Sequence, residues 1–161
     1  MIRKDATWFE VKIRYDKTMD DGQQKATDEL YVVDALTFTE AEAIITEEMS
    51  SYISGDFEVK DIKKATYKEI LFSDKATDDK WYKVKIQAIS INEKTEKETR
   101  VNRYSLVQAQ TLMLAVKYVE DDMRGSLADE TIVSIAETKV MDVFEHREIQ
   151  KKEDLEGLWT E

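Results

Sequence analysis

The feature that most constrains this chain is that it says the same thing twice. Trp8-Phe9-Glu10-Val11-Lys12-Ile13 returns as Trp81-Tyr82-Lys83-Val84-Lys85-Ile86, 73 residues later. Val33, Ala35, Thr37, Ala41 and Met49 return as Val107, Ala109, Thr111, Ala115 and Met123 at an offset of 74. Ile62, Glu69, Ile70 and Leu71 return as Ile135, Asp142, Val143 and Phe144, again at 73. Self-similarity held through several elements means an architecture assembled from copies of one supersecondary unit. The expected division is repeat 1 within 1–75, repeat 2 within 76–145 and a charged tail over 146–161, in one compact body.

One copy can be read element by element. Phe9, Val11, Ile13 and Tyr15 alternate with Trp8, Glu10, Lys12 and Arg14, the period-two pattern of a half-buried strand. Asp20-Asp21-Gly22 marks a turn, and the apolar run Leu30 to Ala35 completes a hairpin. Thr37 and Glu40 have capping-box spacing. Phe38, Ala41, Ile45, Met49 and Tyr52 then fall on one helical face, with Ser54-Gly55 as the stop. Residues 57–72 read as strand, either one long bent strand or two short ones. The second copy repeats this order, with Leu112, Ala115, Val119 and Met123 as its helix stripe, Arg124-Gly125 as its stop and Ile132 to Phe144 as its closing strand. The expected fold is α+β: two tandem strand–strand–helix–strand repeats, antiparallel sheet with helices on one face, and a pseudo-twofold between the copies.

Bulk composition narrows the function classes. The chain has 161 residues, no Cys and one His. Disulfides, thiolate metal sites and Cys nucleophiles are thereby excluded, as is any chemistry needing two imidazoles. The apolar run Leu112 to Val116 is far short of the roughly 20 residues of a membrane span. Met1 to Glu10 lacks the apolar stretch of a secretory signal, so a cytoplasmic protein without a membrane partner is expected. Net charge is −11, but residues 1–17 and 57–103 are locally positive, at +2 and +3.

Candidate catalytic groups are weak. His146 stands between Glu145 and Arg147, which reads as a solvated histidine. The doublets Asp20-Asp21, Asp78-Asp79 and Asp121-Asp122 match no calcium-loop spacing. With 4 Gly and no Gly-x-Ser-x-Gly elbow, neither a phosphate-cradling loop nor a serine-hydrolase turn is present. The expectation is a non-enzymatic binding protein with no cofactor and no metal, with an unrecognised hydrolase built on clustered carboxylates as the least favoured alternative.

The binding expectation rests on Trp8 and Trp81, which sit at equivalent places opposite the apolar stripe of each first strand. Lys12, Arg14, Lys83, Lys85 and Gln87 share that side, and Lys60, Lys63, Lys64 and Lys68 extend the positive zone. Rings for stacking with cations for the backbone suit single-stranded nucleic acid. The rival expectation is a protein-interaction module or inhibitor whose acidic helix residues Glu40, Glu42, Glu47 and Glu48 steer a basic partner. A homo-oligomer is compatible with either. The tail ends Leu155-Glu156-Gly157-Leu158-Trp159, which reads as a docked short helix or as an acidic segment with an aromatic anchor.

Three runs also carry a resemblance: Trp8-Phe9-Glu10-Val11-Lys12, Val33-Asp34-Ala35-Leu36-Thr37-Phe38-Thr39-Glu40-Ala41-Glu42-Ala43 and Ile53-Ser54-Gly55-Asp56-Phe57. Together they resemble a family of small uncharacterised proteins of Bacteroidota and their phages and mobile elements. The resemblance implies a bacterial or phage accessory role and transfers no catalytic residue.

Overall fold

The computed structural model describes residues 2–3, 7–126 and 129–145. His146 and the tail lie outside the described residues, as do the expectations placed on them. Nine strands and two helices occur among the described residues. They are β1 (Ile2–Arg3), β2 (Trp8–Thr18), β3 (Gln24–Asp34), α1 (Phe38–Ser50), β4 (Phe57–Lys64) and β5 (Glu69–Leu71). The second half supplies β6 (Lys80–Ile91), β7 (Glu98–Ala109), α2 (Leu112–Met123), β8 (Asp129–Glu137) and β9 (Val140–Phe144). The α+β class and the strand–strand–helix–strand order hold in both copies.

Each hairpin forms as its alternation dictates. β2 and β3 pair antiparallel from Trp8↔Asp34 to Thr18↔Gln24, and Gly22 turns the chain at φ 84°, a conformation that costs glycine nothing. β6 and β7 pair from Lys80↔Ala109 to Ile91↔Glu98. Thr37 and Thr111 cap the two helices by accepting from the Glu40 and Leu114 amides at 3.1 and 3.2 Å. Glu40 answers by accepting from the Leu36 amide at 3.3 Å, one residue before the cap. α1 stops at Ser50, before the expected end, so Tyr52 leaves the packed stripe and is exposed.

The third strand of each copy is where expectation and structure part. Residues 57–72 form two strands that belong to different sheets, and so do residues 129–144. One sheet has the order β4-β2-β3-β9, the other β1-β5-β7-β6-β8. β5, from the first half, lies parallel to β7 of the second half. β9, from the second half, lies parallel to β3 of the first. The sheets are therefore mixed rather than antiparallel throughout. The described residues divide into two compact units, one of residues 7–65 and 140–145, the other of residues 2–3, 66–126 and 129–139.

Connection length explains this exchange. β4 and β3 both run antiparallel to β2, so they run parallel to each other. To close its own sheet, the chain after β4 would have to double back and cross two strands before running parallel beside β3. Parallel crossovers take a dozen or more residues. Only residues 65–68 separate β4 from β5, and only 138–139 separate β8 from β9. Self-closure is out of reach, and each copy gives its last strand to the other's sheet.

Each unit has its own core. In one, Phe9, Val11, Ile13, Tyr31 and Val33 meet Ala41, Ile44, Ile45 and Met49 of α1. In the other, Tyr82, Val84, Ile86 and Val107 meet Ala115 and Val119 of α2. The exchanged strands enter these cores: Phe144 stacks on Tyr31 at 5.7 Å, and Leu71 packs beside α2's cluster. Arg103 holds β5 through Glu69 at 3.0 Å and also pairs with Glu130.

Candidate ligand-binding face

The two tryptophans anchor the crossovers. Trp8 and Trp81 are 1 % and 2 % exposed, which corrects the expectation that they offer open stacking platforms. The Trp8 carbonyl accepts from the Ala65 amide at 2.8 Å, immediately after β4 ends. The Trp81 carbonyl accepts from the Thr138 amide at 2.8 Å, immediately after β8 ends, and from the Thr138 hydroxyl at 2.8 Å. Phe72 lies edge-on to the Trp81 ring at 5.8 Å. Equivalent residues hold the chain at the two points where it leaves one sheet for the other.

The expected cations separate into unlike surroundings. On the β4-β2-β3 face, Lys12 lies between Leu30 and Asp61, and Arg14 between Asp28 and Glu58. Arg14 reaches Asp28 at 3.7 Å, and Glu10 faces Lys63 across the strands. Lys60 sits in the bulge opposite Lys12 and Ile13. Lys64 is in register with Phe9, so it lies on the helix side of the sheet and does not join Lys12. Alternating signs across neighbouring strands stabilise pairing and leave little net positive field.

Lys83 and Lys85 are placed differently. Cross-strand register makes rows on the face of the other sheet away from α2: Leu106–Lys83–Ala136, Tyr104–Lys85–Ser134 and Asn102–Gln87–Thr131. The Lys83 ammonium lies 5.0 Å from the Tyr104 ring centroid, within cation–π range. Among the described residues, neither Lys83 nor Lys85 forms an ion pair with a carboxylate. Lys83, Lys85, Tyr104, Ser134 and Ala136 line an open cleft of about 310 Å³. One row further, Arg100 donates to Gln87 at 3.3 Å and Gln87 donates to Asn102 at 3.1 Å. Tyr104, Ser134 and Asn102 were not singled out from the sequence. Their signal was the outward half of the alternation in β7 and β8, which becomes useful only once register with β6 is known.

Of the acidic doublets, Asp21 accepts from the Gln23 amide at 3.0 Å in an exposed turn, and Asp121 pairs with Arg124 at 3.1 Å. Among the described residues no three His, Cys, Asp or Glu side chains converge as metal ligands. Asp78 is the exception in burial, at 2 % exposed. It accepts from the Tyr118 hydroxyl at 2.9 Å, the Gln110 amide at 2.8 Å and the Ser73 hydroxyl, tying the β5–β6 loop to the β7–α2 turn and the middle of α2. Burial by itself raises this carboxyl's pKa, but the hydrogen bonds from Ser73, Tyr118 and Gln110 outweigh it and hold the pKa below its ordinary value.

A group whose pKa falls on folding adds stability above its unfolded pKa, and loses it as pH drops through the folded value. Asp78→Ala is therefore expected to lose about 2–4 kcal/mol at neutral pH, the cost of breaking charge-assisted bonds at a buried carboxylate. The gap to the parent should shrink in thermal melts carried below pH 4. A neutral-pH melting point equal to the parent's would refute this account of Asp78.

The family model for a domain of unknown function matches residues 7–146. No curated protein and no solved structure matches the chain.

Proposed function

We propose, for a chain that belongs to the domain-of-unknown-function family DUF4494, a non-enzymatic binding protein whose ligand is single-stranded nucleic acid. The observation that carries this reading is the cluster of Lys83, Lys85 and Tyr104 on one open sheet face, with both ammonium groups clear of carboxylates among the described residues. Cations of this kind follow a phosphate backbone, while an aromatic face takes a base regardless of sequence, at about 1–3 kcal/mol per base. The reading moves the binding surface from both tryptophans to one sheet and replaces indole by phenol. It keeps the accessory role in Bacteroidota, their phages or mobile elements that the resemblance implies.

The test is fluorescence anisotropy of a labelled single-stranded oligonucleotide at low salt. Binding should be saturable, should weaken linearly in log K against log salt, and should fall at least tenfold in Lys83→Glu/Lys85→Glu. A flat titration of the parent protein sinks the reading.

A second reading has its own observation. Glu42, Asp56 and Glu58 line a cleft of about 510 Å³ beside α1, together with Phe57, Thr46 and Ser50 and with no basic residue. This surface suits a basic segment of a protein partner. Glu42 and Glu47 remain exposed for it, whereas Glu40 is engaged at the helix cap.

A further inference from the structure

We propose that the cleft beside β6 is a one-nucleotide subsite, in which Lys83 and Lys85 take a phosphate group and the Tyr104 ring takes the attached base. The proposal rests on the nucleic-acid reading and makes it specific. Three observations converge on it.

The first is shape. The two lysines stand two residues apart on one strand, flanked on the β8 side by Ala136 and Ser134. Small side chains beside long ones leave the depression, and its volume of about 310 Å³ is at the small end of ligand pockets. It suits one compact polar molecule.

The second is charge. Lys83 and Lys85 leave the strand on the same face two residues, or about 7 Å, apart, so their like charges are neighbours and, among the described residues, have no carboxylate partner to offset them. A phosphate placed between them satisfies both, and the Ser134 hydroxyl at the end of the Lys85 row is placed to donate to it. The third is the ring. Lys83 now rests over Tyr104. A phosphate that draws the Lys83 ammonium toward Lys85 uncovers that ring face. Phosphate capture and base stacking are thereby linked through a single side chain, and a ligand with both groups gains more than the two parts bound separately.

The experiment is isothermal titration of the full chain with inorganic phosphate, a nucleoside, the matching nucleoside monophosphate, a phosphoserine peptide and a single-stranded oligonucleotide. The monophosphate should bind at least tenfold tighter than phosphate or nucleoside. Lys85→Met should remove that binding. Tyr104→Leu should reduce the monophosphate to the affinity of phosphate alone. Lys83→Met keeps the aliphatic cover of the ring and so controls for folding; it should lose the monophosphate preference with an unchanged melting point. If the oligonucleotide binds and the monophosphate binds no better than phosphate, the subsite is wrong while the nucleic-acid reading stands. If the phosphoserine peptide binds tighter than both the monophosphate and the oligonucleotide, both are overturned.

Discussion

Trp8→Ala and Trp81→Ala will each cost about 3–5 kcal/mol of unfolding free energy, the range for removing a fully buried large aromatic. A domain of this size has only about 5–15 kcal/mol in total, so each variant sits near its unfolding limit. Both indoles are almost completely removed from solvent. Each residue also presents its carbonyl to the amide that starts a crossover, Ala65 in one case and Thr138 in the other. Truncation leaves a cavity beside the point where the chain must change sheets, so the packing that fixes the crossover is lost along with apolar burial. Trp8→Phe and Trp81→Phe keep part of the ring volume and should lose less. Guanidinium denaturation followed by circular dichroism gives the stability loss. The oligonucleotide affinity of the folded fraction should be unchanged in Trp8→Ala, because β2 and the lysine–tyrosine cleft belong to different sheets, whereas Trp81 shares the cleft's face one row from Lys83 and its variant is read by stability alone. Alanine variants that melt with the parent but bind weakly would return the tryptophans to the binding surface.

The repeat, the hairpins and the two helix starts could be read from residues because each is a local signal. Alternation in Trp8–Tyr15 and Tyr82–Ala88 sets the faces of β2 and β6, and Thr37 and Thr111 set the caps. The burial of Trp8 and Trp81 was not legible, because alternation assigns a residue to one face or the other and both faces of these sheets are covered at the tryptophan end. Val32, Leu106 and Ile70, on the side away from the helices, are likewise fully buried. The strand exchange left only an indirect trace, the short spacing between β4 and β5 and between β8 and β9. Repeat similarity itself masks it: Glu69-Ile70-Leu71 and Asp142-Val143-Phe144 are equivalent, so either triplet fits the same place in either sheet. The candidate cations showed the same limit. Lys12 and Lys85 occupy matching positions, yet one faces Asp61 and the other Ser134, a difference set by the partner strand.

Exchange of β5 and β9 makes each half of the chain dependent on the other, and a cut between them should show it. A protease site inserted between Ala76 and Thr77 falls in an exposed stretch of the β5–β6 connection. Cleavage there yields one piece carrying β1 to β5 and another carrying β6 to β9. The first keeps β2, β3, β4 and α1 but lacks β9, which supplies buried Val140 and Val143 and the ring stacked on Tyr31. The second lacks β5, which supplies fully buried Ile70 and the Glu69 partner of Arg103. Losing β9 removes two buried apolar groups and losing β5 removes one together with partly buried Leu71, each fully buried group being worth about 1.5–3 kcal/mol, along with one row of ladder hydrogen bonds. Against marginal stability, that loss is enough to unfold an isolated half. The cleaved protein should therefore still elute under native conditions as one species near 18.8 kDa and separate into two pieces only in denaturant. Either half expressed alone should lack a cooperative transition, and mixing both from denaturant should restore it. Halves that part in native buffer and each unfold cooperatively would mean that the exchanged strands are decoration on two self-sufficient folds.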